Sequence, residues 1–265
     1  MELNLKGRTA LVTGGSRGIG FGVAERLAAE GVDLHLASRS ADSLDAARKK
    51  IVDAYGVKVT VHPLDLSTHE NAVKLVKAAG SVDILINNAG AIPKGSLTGL
   101  DDKALREAWD LKLFGFINVA REVYRDMCAK KRGVIINVAG TAGERPNAEY
   151  MAGSMANAAL MTMSRALGAE SVNHGVRVVA VNPGATETDR QVVRWKALAK
   201  EKFGDENRWR ELTAHFPRGH LIQPDEIADV VAFSCSGKAS AISGHVITVD
   251  AGFAARGYAP PVIKL

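Results

Sequence analysis

The sequence predicts a single α/β domain built on a doubly wound parallel sheet. Short apolar runs alternate with longer amphipathic stretches along the chain, and strands separated by helices make right-handed parallel βαβ units. A glycine-rich turn joins the first apolar run to the first amphipathic stretch. No linker rich in Pro, Gly or Ser and no internal repeat divides the 265 residues, so one domain over 1–265 is expected.

The elements follow in order. Thr9–Thr13 reads as a buried strand and Gly18–Glu30 as the helix after the glycine turn. Asp33–Ala37 is a second strand. Ser43–Tyr55 is helical, with Leu44, Ala47, Ile51 and Ala54 at helical spacing. Val57–His62 is a third strand. Ser67 with Glu70 three residues on reads as a capping box for a helix reaching Ala79. Asp83–Asn87 is a fourth strand, Asp101 to about Lys130 one long helix, and Gly133–Val138 a fifth strand. Tyr150–His174 is a helix, Val176–Asn182 a sixth strand, Pro224–Ser234 a helix and His245–Val249 the last strand. The segment 189–223 breaks the alternation and lies where a substrate lid would sit, beside the carboxyl ends of the strands.

Composition narrows the function classes. Hydrophobic residues make up 46% and charged residues 24%, as in soluble globular proteins, which excludes disorder, collagen and coiled coil for the whole chain. The net charge of +5 is mild and spread along the sequence, without the basic block that nucleic-acid binding uses. Cys128 and Cys235 are far apart and lack metal-ligand spacing, so a reduced cytoplasmic setting without a metal is expected. No apolar run follows a basic start and no stretch is long enough to span a bilayer, so no membrane partner is expected.

The turn Thr13-Gly14-Gly15-Ser16-Arg17-Gly18-Ile19-Gly20 sits between a strand and a helix. Glycines there let the backbone approach a pyrophosphate, and the helix N-terminus offers it N–H groups and a positive dipole. The T-G-x3-G-x-G spacing resembles that of the short-chain dehydrogenase/reductase family. Asn87-Asn88-Ala89-Gly90 resembles its N-N-A-G motif, and Asn182-Pro183-Gly184-Ala185-Thr186-Glu187-Thr188 its N-P-G-x-x-x-T segment. Gly244 to Gly252 resembles its C-terminal strand. The likeness spans about residues 5 to 253 and implies a Rossmann-type fold that transfers hydride between a nicotinamide cofactor and a carbonyl or alcohol.

The resemblance places Gly14, Ser16, Arg17, Gly18, Ile19, Gly20, Asp65, Leu66, Asn87, Ala89, Gly90, Pro183, Gly184, Thr186 and Thr188 at the cofactor. Asp65 matches the position that touches the adenine and Thr188 one that holds the carboxamide. At the end of the second strand Ser38 takes the place of the acidic residue that would select NAD, and Arg39 follows it. Arginine grips a 2′-phosphate bidentately, and Arg17 adds a second cation, so NADP(H) is the expected cofactor.

The family's redox chemistry uses a Ser, a Tyr and Lys in Y-x3-K, and an Asn. Aligned by its neighbours, this chain carries Gly140 for the Ser, Gly153 for the Tyr, Asn157 for the Lys and Lys112 for the Asn. Tyr150 lies about one helical turn before Gly153, but Ser154, not Lys, follows it. Lys112 and Tyr150 are therefore the candidate catalytic groups, with Thr141, Glu144 and Ser154 as further polar substitutes. Lys112 could hold an anionic substrate or act as an acid if burial lowered its pKa; a salt-bridged surface lysine is the other reading. Glu144 and Arg145 are candidate substrate contacts or an exposed turn.

Three functions follow from this pattern: carbonyl/alcohol oxidoreduction with substitute groups, cofactor binding without turnover as a partner subunit or sensor, and non-redox lyase or isomerase chemistry in the same cleft. Segment 189–223 carries eight Lys/Arg against five Asp/Glu, with Trp195 and Trp209 among them. It reads either as a lid over an apolar substrate bearing a carboxylate or phosphate, or as a helical pair whose tryptophans pack on the body. His215 reads as a surface or core histidine. A small-molecule substrate, anionic groups included, is the expected partner. Small and apolar residues run nearly all round the helix after Tyr150 (Met151, Ala152, Met155, Ala158, Ala159, Met161, Met163), and the tail Ala259–Leu265 is apolar, so a homotetramer or homodimer is expected.

Overall fold

The computed structural model describes residues 1–256; the tail Ala259–Leu265 lies outside them. Seven parallel strands form one sheet in the order β3-β2-β1-β4-β5-β6-β7: β1 (Thr9–Thr13), β2 (Asp33–Ser38), β3 (Val59–Pro63), β4 (Ile84–Asn87), β5 (Gly133–Val138), β6 (Val176–Pro183) and β7 (His245–Val249). The central strands read as unbroken apolar runs because both faces are covered; every residue of β4 and β5 is buried. One face packs α1 (Gly18–Ala29), α2 (Ala41–Tyr55) and α9 (Pro224–Cys235) against Val12, Leu34, Ile84, Ile86 and Val179. The other packs α3 (His69–Ala79), α5 (Gly115–Lys130) and part of α6 (Met151–Ser171) against Leu11, Leu85, Ile135 and Val178. The remaining helices are α4 (Asp102–Trp109), α7 (Asp189–Phe203) and α8 (Trp209–Thr213).

Strand order reverses beside β1, so chain connections leave on opposite sides there and open a crevice at the carboxyl ends of the strands. A doubly wound sheet thus places the β1–α1, β2–α2, β4–α4, β5–α6 and β6–α7 connections around one cleft.

Two local expectations are corrected. The cap of α3 is Thr68, whose hydroxyl accepts from Asn71 N at 3.3 Å, not Ser67. Asp65 explains the shift: its carboxylate accepts Ser67 N at 3.0 Å and its carbonyl accepts Asn71 Nδ2 at 2.8 Å, which holds Ser67 in the turn. The long helix from Asp101 is not uniform either. A π-helical turn, Asp110–Phe114, separates α4 from α5. At Gly115 an added Cβ would meet Leu66 O at 2.7 Å, so the helix passes the β3–α3 loop with no room for a side chain. The wide turn carries Lys112 inward; such turns concentrate at functional sites.

No helix among the described residues is long and apolar enough to cross a membrane.

Candidate active site

The glycine turn is laced to the start of the β4–α4 loop. Thr13 Oγ1 accepts from Asn88 N at 2.9 Å and Ala89 N at 3.1 Å, and Asn88 Nδ2 donates to Thr13 O at 3.2 Å and Gly14 O at 3.3 Å. Gly14 adopts φ +67, and its added Cβ would meet Ala89 Cα at 3.0 Å. A Cβ at Gly20 would fall on Gly14 O and Asn88 Nδ2. Only glycine lets the turn pass this close to its neighbours. The turn feeds α1, whose N-cap Arg17 makes no side-chain cap bond, so no side-chain atom of Arg17 takes the first N–H groups.

Around this turn the structure gathers most of the expected cofactor residues. Ser16, Arg17, Gly18 and Ile19 lie on it; Ser38 ends β2 and Arg39 follows it; Asp65 and Leu66 follow β3; Ala89 and Gly90 follow β4; Pro183 ends β6 and Gly184, Thr186 and Thr188 follow it. The Ser38 hydroxyl is buried without a hydrogen-bond partner among the described residues. Arg39, which follows it, and Arg17 of the glycine turn are exposed and have no carboxylate partner among the described residues. An orphaned hydroxyl, two spare guanidiniums, an uncapped helix start and a cradle closed to any Cβ fit a phosphorylated dinucleotide.

Asn87 serves differently from its neighbours. Its side chain is fully buried, and Nδ2 donates to Phe116 O at 3.2 Å and Asn137 Oδ1 at 3.1 Å. Asn137 Nδ2 continues to Ser164 Oγ at 2.9 Å, and Ser164 to Leu160 O at 2.8 Å. This polar chain ties β4 through β5 to α6 beneath the cleft. Asn88, the second residue of the same motif, is the loop-bracing residue that motif matching alone did not single out. Thr188 caps α7 by accepting Gln191 N at 3.4 Å, and its methyl would lie 3.3 Å from a Cβ at Gly18. The start of α7 therefore rests on the glycine turn.

Lys112 sits where β5 ends, and Asn157 lies against the loop that follows it. Lys112 is 8% exposed, so it is not a surface lysine. Its ammonium donates to Val138 O at 2.8 Å and lies 4.6 Å from the centre of the Phe116 ring. Its Nζ would be 3.5 Å from a Cβ at Gly90. Burial lowers its pKa to about 7, because an unpaired ammonium loses hydration there. Asn157 is buried with Oδ1 unpartnered among the described residues, and its Nδ2 would lie 2.9 Å from a Cβ at Gly140.

Tyr150 precedes α6, and its ring covers Gly153: a Cβ there would fall on the ring edge bearing the hydroxyl. The ring packs with Ile92, Ala108, Ala152 and Ala156. Burial raises the pKa of the phenol, against a smaller pull from Arg190. Ser154 is spent on the helix start, donating to Tyr150 O at 3.1 Å and accepting Asn147 N at 3.1 Å. Thr141 lies in a short 3₁₀ turn after β5. Glu144 accepts Thr248 Oγ1 at 3.0 Å, and Arg145 donates to Phe253 O at 3.0 Å and stacks on that ring. Glu144 therefore ties the β5–α6 loop to β7, and Arg145 ties it to the segment that follows.

Segment 189–223 folds as α7, α8 and short 3₁₀ turns. Trp209 is 3% exposed and packs with Ala199 and Leu221, and Trp195 packs against the same cluster. His215 is exposed, with Nδ1 2.9 Å from Leu212 O and its ring against Phe216.

Comparison with known proteins identifies the family. Residues 8–198 match the short chain dehydrogenase family profile. The chain is 31% identical over 256 residues to 3-oxoacyl-acyl-carrier-protein reductase FabG of Aquifex aeolicus (strain VF5), covering 95% of this chain and 99% of that protein. It is 33% identical over 254 residues to the FabG of Escherichia coli (strain K12), covering 94% and 98%. The L-sorbose reductase of Gluconobacter frateurii, solved with NADPH and L-sorbose, superposes with a TM-score of 0.91 at 30% identity, covering 96% of this chain and 99% of that one. The likeness thus extends over nearly the whole chain, glycine turn and β4 loop included, and the chain belongs to the short chain dehydrogenase family.

Proposed function

We propose that the chain is an NADP(H)-dependent oxidoreductase that interconverts a carbonyl and an alcohol on a small, anionic molecule. The observation that carries the cofactor choice is the buried, unpartnered Ser38 hydroxyl at the end of β2, with the exposed, unpaired Arg39 next in the chain and Arg17 in the glycine turn. An acidic side chain at position 38 would repel a 2′-phosphate, whereas serine and two arginines accept one. Relatives named as reductases, one of them solved with NADPH, favour redox chemistry over a silent binding role or a lyase. When bound, the nicotinamide would supply the hydride.

The chain itself must manage the proton. In our reading the family's Ser, Tyr, Lys and Asn positions hold Gly140, Gly153, Asn157 and Lys112. Glycine at 140 and 153 offers no side-chain donor, so the work falls to Lys112 and Tyr150. The Lys112 amine, with a pKa of about 7, holds and releases a proton near neutrality, where a general acid–base group is most effective. Tyr150 stays a neutral phenol, because burial raises its pKa, and it orients a carbonyl oxygen. Asn157 Oδ1 and the backbone at Gly140 complete the polar wall. Segment 189–223 closes over the substrate, with α7 as its inner part. The domain works as a cytoplasmic homotetramer or homodimer, pairing α5 and α6 across two-fold axes. The test is NADPH consumption with a panel of ketones and aldehydes, with NADH as comparison. Turnover that prefers NADPH supports the reading; NADPH binding without turnover of any carbonyl rejects it.

A further inference from the structure

The arginines of segment 189–223 divide into two sets. Arg208 is held by Glu211 at 2.8 Å, Arg210 by Glu187 at 3.3 Å and Arg218, just beyond α8, by Glu226 at 2.7 Å. Arg190 and Arg194 have no carboxylate partner among the described residues. They stand four residues apart on α7 and share one face. Val193 and Ala197 fall on the same face, and Val193 is left 68% exposed. The packed face of the helix is another one: Val192, Trp195 and Ala199 lie against Ala185, Trp209 and Leu221.

The N-terminal end of this face lies beside the cofactor turn. Thr188 anchors α7 on the glycine turn, and the Arg190 charge acts on the Tyr150 phenol. Arg194 is exposed, and a partial loss of hydration lowers its pKa. Two neighbouring cations without an internal partner are available to an anion from solution. An apolar side chain exposed between the two cations offers a matching place for a hydrocarbon segment.

We propose that Arg190 and Arg194 form an oxyanion subsite, so that the substrate is a carbonyl or alcohol compound ending in a carboxylate or phosphate. Its anionic end lies on the two guanidiniums, its short apolar part runs along Val193, and its reacting carbon reaches the Lys112–Tyr150 wall. The identity of the reaction rests on the oxidoreductase reading above; the anion subsite does not.

The test measures kcat/KM with NADPH for matched ketones that share a carbon skeleton and end in a carboxylate, a phosphate or the neutral methyl ester. The acid-to-ester ratio should exceed about ten-fold, as one charge-assisted contact supplies. In Arg190→Gln/Arg194→Gln that ratio should fall toward one, in Arg194→Lys it should fall only partly, and in Arg194→Glu it should invert. A ratio is insensitive to general damage, which lowers both substrates together. The carboxylate and phosphate arms separate the two sources of the anion. Independently of turnover, calorimetry follows a series of short dicarboxylates into the NADPH-loaded protein, with saturable binding expected that weakens about ten-fold or more in the double variant. Binding without reduction would uphold the subsite and reject the oxidoreductase reading. An unchanged acid-to-ester ratio, no saturable dicarboxylate binding, or a double variant that loses NADPH affinity instead would overturn the proposal.

Discussion

The buried ammonium of Lys112 makes stability depend on pH in a defined direction. In the unfolded chain its pKa is near 10.5, and in the folded protein burial brings it to about 7. Between those values the unfolded state binds the proton more tightly, so folding works against protonation and stability rises with pH. A tenfold difference in proton affinity is worth about 1.4 kcal/mol. At pH 7 the mismatch therefore destabilises the fold by about 4 kcal/mol, and by pH 9 only about 2 kcal/mol remains. Lys112→Met removes the titration while keeping a side chain of similar length. Its own pH dependence comes from all the other groups, which it shares with the parent. The difference in unfolding free energy between parent and variant should therefore move by about 2 kcal/mol in the parent's favour from pH 7 to pH 9. Loss of the bond to Val138 O offsets the two curves by a constant and leaves that slope untouched. Urea denaturation at pH 7, 8 and 9 measures it. A difference independent of pH would refute the inference that this lysine loses its charge on folding.

Other consequences are equally direct. Arg39→Ala should weaken NADPH binding about ten-fold or more and leave NADH little changed, by calorimetry; equal losses would remove the 2′-phosphate assignment. Gly20→Ala drives a Cβ onto Gly14 O and Asn88 Nδ2, so it should lose about 1–3 kcal/mol of stability together with cofactor binding; a variant that binds NADPH normally would show the turn to be looser than its packing implies. Thr68→Ala should destabilise α3 by about 1 kcal/mol and Ser67→Ala by distinctly less, and the opposite order would restore Ser67 as the cap.

The sheet was legible in the sequence because apolar runs buried on both faces admit few other readings, and β5 and β7 fall on their expected residues. The departures are local. Ser67 with Glu70 is the better cap pattern in isolation, and the Asp65 turn decides for Thr68. The π-helical turn at Asp110–Phe114 leaves no trace in hydrophobic periodicity, since it depends on contact between Gly115 and the Leu66 carbonyl. The cofactor turn announces itself because glycine is required where the backbone makes close approaches. The polar wall does not: nothing in the sequence alone indicates that Tyr150 folds over Gly153, or that Lys112 finds Val138 O in place of a carboxylate. Likewise, spacing places Arg190 and Arg194 on one face, but only the fold distinguishes them from the paired Arg208, Arg210 and Arg218.

The proton path through Lys112 is the central claim, and steady-state reduction by the parent, Lys112→Met and Tyr150→Phe tests it most directly. The measurement is the pH dependence of kcat/KM with saturating NADPH and the best ketone of the panel. The parent's rate should turn on a group titrating near the Lys112 pKa of about 7. In Lys112→Met that inflection should vanish and the rate fall by about 10²–10⁴, as for a lost general acid, while Tyr150→Phe keeps the inflection at a lower rate. A Lys112→Met enzyme that retains the parent's rate and inflection would contradict it.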